Sequence, residues 1–403
     1  MRSNSPEKLR EFDAVIIGAG LAGLHTARRL SASGVSVLLV DRKEDIGARV
    51  HTTGIFVRKT FEDFDFPEGS LGIPISKVVL YSPLMRRLEL ESPAPEFRIG
   101  RMDVLYRSIL ADANRFGAEF LNGARFAGSV PDRSRKGGSL VRVEKKGVID
   151  NIRTRVIIGA DGVGSAVARD LGLDTNSKWI VGYEKVFTRS AGSAEPRLHC
   201  FLSAGFAPGY IAWIADDGKE CHVGVGGYPD RFDPSEALSR FIDSRAAEIL
   251  DRNDLTETES RGGRIPVGGI LKRIANKRGL LIGDAAGAVS PLTAGGLDPC
   301  LRLSDFAAEA VIARTRTDKP KVLLNYSGDI FEKDFSTKLI MRAGLRFLKF
   351  DFQYEWFFRA LSSSPGRMLA RKIFFRRSSF PDVSSSDPRR KRVLESIDAA
   401  GAR

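Results

Sequence analysis

Three widely separated groups of glycine and acid have the residue types and spacing to hold a nucleotide. Gly18, Gly20 and Gly23 occupy a G-x-G-x-x-G turn, and Asp41 follows 23 residues after Gly18. Such a turn needs a tight first glycine, a second that lets a pyrophosphate reach the backbone, and a third that lets helix pack on strand. Leu21 and Ala22 open that helix, whose free N–H groups and partial positive charge face the phosphates. An acid at the position of Asp41 accepts both hydroxyls of an adenosine ribose. The second group is Asp161-Gly162, in "IIGADGVGSAVAR". The third lies in "LLIGDAAGAVSPLTAGGLDP", with Asp284, Pro291 and the pair Gly295-Gly296 followed by Leu297. Two glycine turns about 260 residues apart suggest one long ligand held at both ends.

The elements that position these residues follow from the apolar pattern. "FDAVIIGAG" reads as a buried parallel strand, "LAGLHTARRLSASG" as a helix ending on Gly34, and "VSVLLVD" as a second strand. Strand, turn, helix, strand and acid make a βαβ dinucleotide unit. Short alternating segments, "KVVLYS" and "RRLELES", then predict antiparallel strands. "RMDVLYRSILADANRFGAEF" predicts a helix with Leu105, Ile109 and Leu110 on one face and Gly117 as its stop. "RLHCFLSAG", "GYIAWIADDG" and "ECHVGVGGYP" predict more antiparallel sheet, and a helix-rich stretch is expected from Pro234 up to "GLLIGDAAG". The strands near 160 and 280 are expected to complete the first unit. The fold class is therefore α/β: a discontinuous Rossmann-like domain with an antiparallel-sheet substrate domain and a helical C-terminal part. The expected boundaries are 1–73, 100–175 and 272–320 for the first, 74–99 and 176–271 for the second, 321–380 for the third, and a disordered basic tail over 381–403.

Composition narrows the function classes. Hydrophobic residues make up 42% and charged residues 28%, an ordinary globular balance. The net charge is +13, and residues 331–403 hold sixteen Lys/Arg against eight Asp/Glu. The tail motif "RRKR" has no accompanying nucleic-acid motif, so no nucleic acid is expected as a partner. Three separated cysteines show no metal spacing, so no metal is expected and a reducing, cytoplasmic setting is. No signal peptide and no apolar run of about 18 residues is present. Seven aromatics between Phe347 and Phe358 lie within a cationic stretch. That composition suits peripheral contact with an anionic membrane on its inner face, or a helix pair that closes the core.

The three motifs in this order resemble flavoproteins of the p-hydroxybenzoate hydroxylase fold, whose first unit is of the glutathione reductase type. The likeness spans about residues 12–315. It implies one non-covalent FAD spanning both glycine turns. Asp284 then accepts from the ribityl or pyrophosphate side, and Gly295, Gly296 and Leu297 offer N–H groups to the pyrimidine edge of the flavin. It also implies cofactor roles for Arg42, Thr52, Asp161 and Arg101, the last reaching the flavin side chain or pyrophosphate. "GDAAGAVSPLTAGGL" and "APGYIAWIADDGKECHVGVGG" are most similar to the geranylgeranyl reductase family. That resemblance implies hydride transfer from reduced flavin to carbon–carbon double bonds of an isoprenoid lipid or quinone side chain. The flavin would be reduced by NADPH or a reduced electron-carrier protein. Tyr210 and Trp213 would line an apolar channel; three residues apart they would face opposite sides of a regular strand, so either a bulge follows Gly209 or only one of them, Trp213, lines the channel. His51 stands where archaeal members carry a cysteine, and is a candidate proton donor. An FAD-dependent monooxygenase or halogenase acting on an aromatic metabolite is the alternative. A non-enzymatic flavoprotein is disfavoured by the intact flavin-edge loop, and the oligomeric state is open.

Overall fold

The computed structural model describes residues 9–190, 195–375 and 395; the basic tail expected over 381–403 otherwise lies outside them. In chain order the first half comprises β1 (Arg10–Ile17), α1 (Leu21–Ala32), β2 (Val37–Val40), β3 (Ile55–Val57), α2 (Arg58–Asp63), β4 (Lys77–Tyr81), β5 (Arg87–Glu91), β6 (Phe97–Ile99), α3 (Met102–Arg115), β7 (Glu119–Leu121), β8 (Ala124–Pro131), β9 (Ser139–Lys145), β10 (Val148–Gly159) and α4 (Ala166–Asp170). The second half comprises β11 (Trp179–Arg189), β12 (Arg197–Phe201), β13 (Ala212–Asp216), β14 (Glu220–Gly227), α5 (Pro234–Phe241), β15 (Leu255–Pro266), β16 (Gly279–Leu281), α6 (Leu297–Thr317), α7 (Glu332–Arg346), α8 (Asp351–Ser362) and α9 (Ser364–Phe374).

Strand composition explains the first sheet. β2, β16 and the second halves of β1 and β10 are apolar runs rich in Val, Ile and Leu without alternation, as parallel strands covered on both faces require. They pair as β7-β2-β1-β10, with β16 on the far side of β10. α1, α3 and α6 supply apolar residues to the same core. The registers matter most. Ile17 is level with Val40 and Gly159, and Gly159 with Leu281. Four strands thus end together, so the chain leaves at one sheet edge at Gly18, Asp41, Ala160 and Ile282. β10 is long enough to pair antiparallel with β9 through its first half, and β8 extends that meander.

The second sheet runs β15-β11-β14-β13-β12-β4-β5. It is antiparallel except where β4 lies parallel to β12. α5 covers one face. The other packs against β6, α8 and α9. The helix-rich stretch expected after Pro234 needs correction, because α5 is followed by the twelve-residue strand β15. Its sequence, LTETESRGGRIP, gives no apolar period because the strand is an edge with little buried surface. Its hydrogen bonds to β11 make it a strand.

The aromatic C-terminal stretch divides by face. Tyr354, Phe358 and Leu361 of α8 are buried in the second core, whereas Phe347 and Trp356 are each 75% exposed and Phe350 and Phe352 also face outward. Among the described residues no helix is long and apolar enough to cross a membrane.

Candidate functional site: the shared sheet edge and the facing sheet

The three glycines of the first turn differ in what surrounds them. Gly18 has φ +107°, and a Cβ there would collide with the carbonyl oxygen of Ala160. A Cβ on Gly23 would collide with the carbonyl oxygen of Gly18. A Cβ on Gly20 meets nothing within 4 Å. Two of the glycines therefore serve packing, while the third opens a cradle in front of the α1 N-terminus. Leu21 and Ala22, in the first turn of α1, are buried. α1 has no side-chain cap and no acid in its first turn, so its N–H dipoles face the cradle unopposed.

Asp41 is held in place by accepting from the backbone N–H of Ala19 (2.6 Å) and of Lys43 (2.8 Å). Arg42 follows on the loop, and Lys43 Nζ ties that loop by donating to the carbonyls of Ala48 and Arg49. Asp161 accepts from the N–H groups of Ala166 (2.7 Å) and Val167 (3.1 Å), which anchors α4. Its second carboxylate oxygen is buried without a partner. Asp284 is the acid with the least compensation. Burial pushes its carboxyl up to about 6. A Cβ on Gly296 would lie 3.6 Å from Asp284 Oδ1, so the acid faces the start of α6. That helix also lacks a side-chain cap. Its one first-turn acid, Asp298, is turned aside to Thr60 Oγ1 and Arg302 Nε, each at 2.9 Å. The loop before it bends at Ala294, with φ +52°, and leaves Gly295, Gly296 and Leu297 at the helix mouth.

An FAD fits these residues: an open glycine cradle, two uncapped helix N-termini, and two carboxylate groups with unused acceptor capacity along one edge. The ribose would meet Asp41, the pyrophosphate the α1 N-terminus, and the flavin edge the α6 N-terminus. Arg101 sits differently. Its guanidinium binds Asp217 Oδ2 (2.7 Å) and Glu220 Oε2 (2.9 Å), so it ties the start of α3 to the β13–β14 turn.

The second sheet faces this edge with a floor of glycine. Gly182, Gly224 and Gly226 lie under the rings of Trp213 and Tyr210; a Cβ on Gly224 would strike the Trp213 ring, and one on Gly226 would come 2.7 Å from Tyr210. Both rings lie on this one face, with centroids 6.4 Å apart. The bulge alternative is replaced by a simpler reason. Tyr210 precedes β13, after Gly209 with φ +75°, so strand alternation does not govern it. Tyr210 Oη donates to the carbonyl of Thr293 (2.6 Å), joining the aromatic pair to the flavin-edge loop.

Sequence reasoning missed what lies beside Trp213. Glu184 of β11 and His222 of β14 are both buried on this face. Thr53 Oγ1 donates to Glu184 Oε2 (2.6 Å), and Glu184 Oε1 lies 3.6 Å from His222 Nδ1. That gap is too long for a hydrogen bond, so the attraction is between charges. Burial works to lower the His222 pKa, but the carboxylates of Glu184 and Glu220 prevail and it is raised. His222 Nε2 lies 3.4 Å from Glu220 Oε2, which continues to Arg101. The available signal was a charged residue in each of two apolar strands, "IVGYEKVF" and "ECHVGVGG". By contrast His51 is exposed, its Nδ1 lies 3.1 Å from the Gly262 carbonyl, and burial and Lys43 lower its pKa. Thr52 caps its own turn, with Oγ1 accepting from Gly54 N–H (3.2 Å).

Comparison with known proteins agrees with this geometry. Residues 11–327 match the FAD binding domain family. A digeranylgeranylglycerophospholipid reductase of Methanopyrus kandleri is 30% identical over 337 residues, covering 81% of this chain and 83% of that protein. A geranylgeranyl bacteriochlorophyll reductase-like protein of Thermoplasma acidophilum superposes with a TM-score of 0.78 at 17% identity, covering 97% of this chain and all of that one. The flavin-dependent brominase Bmp2, as a triple mutant, shares the fold with a TM-score of 0.66 at 16% identity, covering 97% and 100%. The chain belongs to the FAD binding domain family and, within it, to the geranylgeranyl reductase family of FAD-dependent oxidoreductases.

Proposed function

We propose that the protein saturates carbon–carbon double bonds in the isoprenoid chain of a lipid. The observation that carries this reading is the glycine-floored aromatic wall joined to the flavin-edge loop through Tyr210 and Thr293. FAD, when bound and reduced, supplies hydride. The protein's residues do the rest. Trp213, 8% exposed, and Tyr210 present a flat apolar surface against which a prenyl chain can lie beside the cofactor. Exclusion of water and close placement must carry much of the catalysis, since an unactivated alkene accepts hydride poorly. Thr53 Oγ1 delivers its proton to the second carbon and is reprotonated by way of the Glu184 carboxylate, the proton coming from the imidazolium of His222. His51, outside this buried group, is replaced in that role by Thr53. NADPH or a reduced carrier protein serves as the external reductant.

The outward aromatics Phe347, Phe350, Phe352 and Trp356, next to Arg346, Lys349 and Arg359, support peripheral contact with an anionic bilayer. Such contact would place the site where a lipid substrate resides, on the inner face of the membrane. Anaerobic turnover of a panel of polyprenyl lipids, read by mass spectrometry, tests the reading. The expected product is two mass units heavier per bond reduced. Reaction only with oxygen and an aromatic substrate would instead establish the monooxygenase alternative.

A further inference from the structure

We propose that Arg342, with Arg231 and Arg346, forms a binding site for a phosphate group, and that this site anchors the head of the isoprenoid substrate. The second clause rests on the function proposed above; the site itself rests on the following geometry. Arg342 projects from α7 and is 4% exposed. Its Nε donates to Tyr228 Oη (3.1 Å). Both Nη atoms are buried with no hydrogen-bond partner. Its guanidinium carbon lies 4.9 Å from the ring centroid of Tyr228 and 5.7 Å from that of Tyr210. Arg231 and Arg346 stand over the same Tyr228 ring at 5.5 and 5.4 Å. Arg231 Nη2 donates to the Arg346 carbonyl (3.0 Å), and its Nη1 is buried and unpartnered.

Three guanidinium groups thus surround one tyrosine. Among the described side chains none of the three has an ion pair with a carboxylate. By contrast, the buried Arg189 and Arg302 each bind two acids and the buried Arg314 binds one. Burying an unpaired guanidinium is costly, and clustering like charges adds repulsion. Stacking on tyrosine offsets part of this, but leaves the forked Nη donors unused. A forked donor pair suits two phosphate oxygens.

The location points to a head group as the source of that phosphate. Arg342 lies against Tyr210, whose hydroxyl touches the flavin-edge loop. A phosphate held there would start a prenyl chain next to Trp213. On the other side, Arg346 is exposed and adjoins the outward-facing Phe347, so the cluster opens toward the apolar surface from which a lipid would enter.

The test uses the full-length, FAD-loaded protein and three probes: inorganic phosphate, geranylgeranyl phosphate and geranylgeraniol. Binding is followed by calorimetry. The wild type is expected to bind geranylgeranyl phosphate about tenfold to a hundredfold more tightly than the alcohol, as a charge-assisted contact warrants. In R342Q that ratio should fall by about tenfold or more, with R342K retaining part of it. Should R342Q fail to fold, the double variant R231Q/R346Q, at positions outside the core, carries the same comparison. Equal binding of phosphate and alcohol by the wild type, or an unchanged ratio in the variants, would overturn the site. Binding of inorganic phosphate alone, lost in R342Q, would support the anion site and overturn the head-group assignment. Tight binding of geranylgeranyl phosphate without reduction of any isoprenoid would uphold the site and reject the proposed reaction.

Discussion

Replacing Asp284 by Asn tests the cofactor edge through a property of the apoprotein. The carboxyl sits at the end of β16 facing the α6 N-terminus, and burial raises its pKa from 3.8 to about 6. A group with a raised pKa stabilises the fold fully below the unfolded value and loses that contribution as pH rises through the folded value. The window is therefore pH 4 to 6. Above it the ionised carboxylate costs about 3 kcal/mol, and residual solvent contact trims this to about 2 kcal/mol. Apo D284N should accordingly be about 2 kcal/mol more stable than apo wild type at pH 7.5, with most of that gain gone at pH 4. Denaturant unfolding of FAD-free protein at both pH values measures it. FAD should reverse the ranking, because a cofactor hydroxyl bonds the carboxylate more strongly than the amide. Wild-type FAD affinity should therefore rise between pH 5 and 7, and that of D284N should stay flat. A stability difference independent of pH, or an equal pH response of FAD binding in both proteins, would refute the assignment.

The first glycine turn separates binding from folding. G20V should release FAD while leaving apoprotein unfolding nearly unchanged, whereas G23V should destabilise the apoprotein itself, as its side chain meets the Gly18 carbonyl. Denaturing the wild type should release non-covalent FAD, and FMN or no flavin would be the contrary result. E184Q should lower isoprenoid turnover at least about tenfold, worth roughly 1.4 kcal/mol. It should also lower the pKa of His222, read from imidazole resonances in the FAD-free protein; an unmoved His222 would separate the two groups. Changing Phe352 and Trp356 to Ser should weaken flotation with anionic vesicles at low salt while leaving FAD content intact.

The nucleotide-binding half of the molecule was legible because its signals are local. Gly18, Gly20, Gly23 and Asp41 belong to one βαβ unit, and the buried parallel strands announce themselves as unbroken apolar runs. The strands near 160 and 280 carried the same signature, so their place in the sheet of β1 could be anticipated from type alone. The facing sheet could not be read in this way. β15 is a polar edge strand that only its hydrogen bonds to β11 define, and the shared orientation of Tyr210 and Trp213 depends on where β13 begins. Glu184, His222 and Thr53 lie far apart in sequence and meet only through sheet register and one loop. Tyr228 and Arg231 share the loop after β14, but Arg342 reaches them from α7, more than 100 residues on, with no motif between them. Backbone turns are written by neighbouring residues and appear in the sequence. Side-chain clusters of high sequence separation are set by which elements pack together, and the tertiary structure alone decided them.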